Sequence, residues 1–123
     1  MSFKCLTAAS ALVLASALAP APLRAHAYPI VVVPADGAVL REPPREIRIQ
    51  FTEGIELEFS RIDVKNATGE KVSAGNLRRI ADDTVAVAVK ALGPGAYRIE
   101  WQVLSVDTHV TDGVLRFTVS GGK

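Results

Sequence analysis

Beyond residue 27 the chain is written largely in period two. Glu46-Ile47-Arg48-Ile49-Gln50-Phe51 alternates polar and apolar side chains, which places every second residue on one face of a pleated strand. Similar runs occupy Tyr28 to Val33, Thr84 to Val89, Tyr97 to Leu104 and Val114 to Val119, with a looser alternation from Glu58 to Val64. Turn residues stand between them: Pro34-Ala35-Asp36-Gly37, Glu42-Pro43-Pro44-Arg45, Asn66-Ala67-Thr68-Gly69 and Gly93-Pro94-Gly95. No stretch sustains a 3.6-residue period. About seven short strands in about a hundred residues predict an all-β fold, an immunoglobulin-like or cupredoxin-like Greek-key β-sandwich.

In such a sandwich the core falls to Ile47, Ile49, Phe51, Phe59, Ile62, Val64, Val85, Val87, Val89, Tyr97, Ile99, Trp101, Val103, Leu115, Phe117 and Val119. Trp101 reads as core packing rather than as a stacking platform for a ligand. Segment 71–83, with Asn76-Leu77-Arg78-Arg79 and Asp82-Asp83, reads as an irregular connection whose charges face solvent.

The first 25 residues read as a secretory signal peptide. Lys4 supplies the positive start, Leu6 to Ala19 the apolar run, and Pro20-Ala21-Pro22 ends any helix before the cut. The run falls short of the about 20 apolar residues that span a bilayer, and no later run is long enough. Two cuts compete: after Ala25, leaving His26 as the first residue, or before Tyr28, where Ala25-His26-Ala27 fits the small-x-small pattern better.

Cutting after Ala25 reduces 123 residues to 98, one small domain spanning 26–123. Cys5 and Met1, the only Cys and Met, leave with the leader, so the exported chain has neither a disulfide nor a sulfur ligand. Lys4 and Arg24 leave as well, so 14 basic residues become 12 against 13 acidic ones. With no basic stripe and no Gly-rich phosphate loop, nucleic-acid binding is not expected.

The chain has two histidines, and a cut after Ala25 makes one of them an unusual chelator. A terminal His26 offers a metal its α-amine together with its ring Nδ1. The amine titrates near pH 8 in model peptides, so a strongly binding metal displaces its proton at neutral pH. His109 adds a third nitrogen, and Asp107, two residues earlier, adds a carboxylate. Three nitrogens and an oxygen form a tetragonal set that favours Cu(II). Zinc is the rival, since imidazole and carboxylate suit it too, but chelation by a terminal amine fits a square better than a tetrahedron. Cu(I) is disfavoured without sulfur. Taken alone, an Asp-x-His pair is a weak motif, and composition leaves a metal-free surface open.

The mature sequence also resembles, over its whole length, the CopC family of periplasmic copper-binding proteins. The resemblance rests on His26-Ala27, on Pro34-Ala35-Asp36-Gly37-Ala38 eight residues after His26, on Phe51-Thr52-Glu53 and on Phe59-Ser60. Leu92 to Trp101 follows the family's L-x-x-G-x-Y-x-V-x-W strand, with Ile99 at the Val position, and Ser105-Val106-Asp107-Thr108-His109 followed by Gly113 its S-x-D-x-H-x-x-x-G loop. The resemblance implies the cut after Ala25 and carries over His26, Asp107 and His109 as Cu(II) ligands, with Glu53 as an axial or neighbouring carboxylate. It further implies a copper carrier or buffer in the periplasm that is not an enzyme, with a CopD-like inner-membrane copper transport protein as partner. Two features depart from the family. Lys65 to Asp83, where some members carry a Met-rich Cu(I) site, has neither Met nor His, and Val31-Val32-Val33 replaces a more polar stretch.

Two other functions compete. A terminal histidine with a second histidine is also the copper brace of oxidative enzymes, but Asp107 would close the coordination position that oxygen needs. A secreted, metal-free binding module follows if the chain begins at Tyr28.

Overall fold

The computed structural model describes residues 26–121, so the expected leader, 1–25, lies outside the described residues. Eight strands run in order: β1 Pro29–Val33, β2 Ala38–Leu40, β3 Glu46–Phe51, β4 Arg61–Asn66, β5 Ser73–Ala81, β6 Thr84–Val89, β7 Gly95–Leu104 and β8 Val110–Val119. They form two four-stranded sheets, ordered β1-β3-β6-β5 and β2-β8-β7-β4. Every pairing is antiparallel except β2 on β8. The expected β-sandwich is the observed fold, with eight strands where about seven were expected.

Alternation explains the core. In β7 Tyr97, Ile99, Trp101 and Val103 are buried while the residues between them face outward, and β3 does the same with Ile47, Ile49 and Phe51. Phe51 meets Trp101 edge to face at 5.5 Å, and Tyr97 stacks on Phe117 at 5.2 Å, both within the range of favourable aromatic pairs. The Tyr97 hydroxyl donates to the Gly93 carbonyl at 2.6 Å, so its polar tip is satisfied while its ring stays inside. Trp101 sits opposite Gly113 in the β7–β8 ladder, and its indole covers the place a Cβ would take.

Three expectations are corrected. Segment 71–83 is not an irregular connection, because residues 73–81 form β5. Among the described residues it is an edge strand laddered to β6 alone, with register shifts and Gly75 at φ +73°, and beyond Ala74 only Leu77 packs toward the interior. A strand whose later residues are exposed on both faces loses the alternation that reveals strands in sequence. Phe59 is not core; it lies in a 3₁₀ turn, Leu57–Phe59, and is 69% exposed, while Ile55 takes the buried place. Val89 and Leu115 are only partly buried. Among the described residues no helix is long and apolar enough to cross a membrane.

Candidate metal centre

One end of the sandwich gathers the start of β1, the end of β3, the end of β7 and the start of β8. Segments 26–28, 52–56 and 105–109 therefore meet there. The chain before β1 is held by two threonines. Thr52 Oγ1 donates to the His26 carbonyl at 3.1 Å and accepts the Tyr28 N–H at 3.0 Å, while the Thr52 N–H donates to the Tyr28 carbonyl at 2.9 Å. From the other sheet, Thr111 Oγ1 donates to the Ala27 carbonyl at 2.7 Å. Ala27 between these bonds is fully buried. His26 is thus fixed by its backbone, which leaves its ring free to act.

The loop joining β7 to β8 is tied from within. Ser105 is fully buried, its N–H donates to the His109 carbonyl at 2.9 Å, and its carbonyl accepts the Thr108 N–H at 2.9 Å. Thr108 takes the left-handed φ of +71°, uncommon for a residue with a Cβ, and this tight turn brings Asp107 back beside His109. Val106 N–H donates to the Gly54 carbonyl at 3.0 Å, and Ile55 bridges Ser105, so the loop is also fastened to segment 52–56. The Ser105 hydroxyl donates to Asp107 Oδ1. That bond first, and His109 second, hold the Asp107 carboxyl below the usual carboxylate range, so it is ionised at neutral pH.

The rings of His26 and His109 stand 4.7 Å apart between centroids, at 88° to each other. His109 Nδ1 lies 3.3 Å from Asp107 Oδ1. A carboxylate beside one ring nitrogen orients the imidazole and leaves the other nitrogen, here Nε2, as the free donor. Among the described residues, His26 Nδ1 and Asp107 Oδ2 are buried without a hydrogen-bond partner, and so is Glu53 Oε2 on the neighbouring segment. Buried polar atoms without partners are costly, and a bound cation satisfies such a set. The Tyr28 ring borders His26 edge-on at 6.4 Å.

The structure therefore places His109 beside both His26 and Asp107, two neighbouring pairs drawn from three of the four expected ligands. No hydrogen bond or ion pair joins Glu53 to them among the described residues. Nor do the described residues hold three or more His, Cys, Asp or Glu side chains in a ready-made metal cage. The fourth expected donor is not a side chain: with residues ahead of it in the sequence, the His26 nitrogen is a peptide nitrogen rather than an amine. Sequence reasoning missed the holding residues Thr52, Ser105 and Thr111. Thr52 and Ser105 sit inside motifs already quoted, whereas nothing in the sequence marks Thr111.

The CopC domain model matches residues 31–120 of the chain, a span that begins after His26. Copper resistance protein C of Xanthomonas campestris pv. juglandis is 31% identical over 120 residues, covering 91% of this chain and 94% of that protein. Protein YobA of Escherichia coli K12 is 31% identical over 110 residues, covering 87% and 89%. Copper transport protein CutJ of Bacillus subtilis is 32% identical over 98 residues, which is 77% of this chain but only 18% of CutJ. Two crystal structures share the fold at 24% identity. CopC from Methylosinus trichosporium OB3b gives a TM-score of 0.74 over 80% of this chain and 97% of that one. PcoC, a methionine-rich copper resistance protein from Escherichia coli, gives 0.69 over 78% and 100%. With a family model covering most of its length and relatives of the same size above 30% identity, this chain belongs to the CopC domain family.

Proposed function

We propose that the protein is an exported Cu(II) carrier or buffer serving copper homeostasis and resistance in the periplasm, and that it binds without catalysing a reaction. The observation that carries this reading is the pairing of the His26 and His109 rings, with His26 Nδ1 and Asp107 Oδ2 left unpartnered. Relatives named for copper resistance and copper transport supply the metal's identity. The donor set refines it: two imidazoles, a carboxylate and a terminal amine suit Cu(II), and the chain's single Met and single Cys both precede the cut. PcoC is described as methionine rich, and this chain departs from it there.

The reading requires signal peptidase to cut after Ala25. A cut before Tyr28 would remove a buried core residue, Ala27, and the carbonyls that Thr52 and Thr111 bind. Removal of the leader then has a chemical effect, because it converts a peptide nitrogen into an amine donor at the site. Asp107 beside His109 favours storage over oxidative chemistry, since a carboxylate occupies a position that an oxygen-activating copper would need free. By family resemblance the recipient is a CopD-like inner-membrane copper transport protein. Titration of the exported, processed protein with Cu(II) tests the reading: tight one-to-one binding with a nitrogen-rich electron paramagnetic resonance signal is expected, and its absence contradicts it.

A further inference from the structure

The two open flanks of the sandwich are guarded differently. Strands β4 and β5 adjoin at one flank, where the Ser73 hydroxyl accepts the Val64 N–H, which leaves β1 and β2 at the other. The β4/β5 flank carries Arg61, Asp63, Lys65, Arg78 and Arg79 together with the register shifts of β5. Charges and bulges are the usual devices that stop a free edge from pairing with another chain. The β1 edge lacks the charges: no ionisable acid or base lies between Ala27 and Ala35 apart from the phenol of Tyr28. Ile30, Val31 and Val33 on β1 and Val39 on β2 are 57%, 50%, 55% and 70% exposed. Pro29 and a register shift disturb the first residues of β1, but Val31 to Val33 pair regularly with β3, and among the described residues no strand pairs with their other edge.

We propose that β1 is a self-association edge, where a second copy of this chain pairs β1 against β1, antiparallel about a two-fold axis. The β1-β3-β6-β5 sheets of the two copies then become one sheet of eight strands. Such a contact needs a strand that tolerates its own copy, and a neutral Val-rich strand opposes itself without like-charge repulsion while its branched side chains pair across the ladder. A two-fold contact of this kind closes at the dimer and does not propagate. Because β1 starts at the histidine end, antiparallel pairing sends the two metal ends to opposite poles and leaves both open. Three regular residues make a small interface, so the dimer is weak and depends on concentration. The proposal stands apart from the copper reading.

The test is sedimentation of the exported, processed protein, stripped of metal with a chelator, from low micromolar to near millimolar concentration. The mass is expected to rise from one chain toward two. Val31→Lys and Val33→Lys are expected to move the midpoint up at least about tenfold, while Val114→Lys on the outer face of β8 leaves it unchanged. Thermal unfolding and Trp101 emission report whether each variant is folded, and Ile30→Lys replaces one that is not. A single-chain mass at every concentration, a dimer indifferent to β1 substitutions, or association that requires added Cu(II) overturns the proposal.

Discussion

The ring of His26, at the start of the described chain, meets the ring of His109, in the β7–β8 loop, edge to face with centroids 4.7 Å apart. Each is held from a different sheet or loop: His26 by the Thr52 hydroxyl at the end of β3, His109 by a turn built on buried Ser105. Two rings carried to one spot by independently fixed backbones form a partly preorganised pair, and preorganisation lowers the ordering cost of binding.

Replacing His109 by Ala should remove one ring donor and little else, because that side chain is half exposed. Cu(II) affinity is expected to fall at least about a hundredfold, equivalent to about 3 kcal/mol, while stability stays within about 0.5 kcal/mol of the parent. Competition titration and thermal unfolding check the two halves separately.

Thr52→Val tests the backbone clamp. It removes the bond to the His26 carbonyl and the acceptor for the Tyr28 N–H. A stability loss of about 1 kcal/mol is expected, together with about a tenfold weaker Cu(II) affinity and a broadened electron paramagnetic resonance spectrum as the terminal donors lose a single geometry. Thr52→Ser, which keeps the hydroxyl, should restore both.

The strands with one buried face were legible because alternation is a direct image of half-burial, as in β3 and β7. Strand β5 was not, since an edge strand with exposed Arg78 and Arg79 has no apolar face to report, and three-residue β2 is too short to show a period. Phe59 misled for a related reason: an apolar residue inside a loose alternation looks like core, whereas a 3₁₀ turn swings it outward. At the histidine end, His26, Asp107 and His109 were proposed from their donor chemistry and then matched by a motif resemblance, since nothing local in sequence says that residues 26 and 109 meet. The holding role of Thr52, although the residue lies in a quoted motif, and that of Thr111 left no trace, as a hydroxyl that bonds a distant carbonyl shows no period.

Gly113→Ala should strain the core beneath the site. A Cβ there would come within 2.7 Å of the Trp101 ring, which faces Gly113 across the β7–β8 ladder. A loss of about 1 to 3 kcal/mol is expected from denaturant unfolding, with a shift in Trp101 emission. An unchanged midpoint would mean that the indole has somewhere else to go.

Acid should weaken the fold partly through Glu46. Hydrogen bonds from Arg48 first and Arg78 second, at 3.0 and 2.5 Å, hold its carboxyl below the ordinary value. With the folded value lower than the unfolded one, the unfolded chain binds more protons between the two, so stability rises with pH there. The contribution is complete above the ordinary Glu range near about 4.3 and is lost as pH falls through the folded value. Glu46→Gln is expected to flatten that part of an acid unfolding curve while leaving its neutral end lower. An acid limb of unchanged steepness would remove Glu46 from the account.

The central claim is that the cut after Ala25 completes the metal centre by freeing the His26 amine. Its most direct measurement compares Cu(II) affinity for the chain that begins at His26 with that for the same chain carrying one extra residue ahead of it. The ring donors and the fold are the same in both, so a difference reports the amine alone. The account predicts one-to-one binding that weakens at least about a hundredfold on extension, with one nitrogen fewer in the copper spectrum. Equal affinities and identical spectra would contradict it.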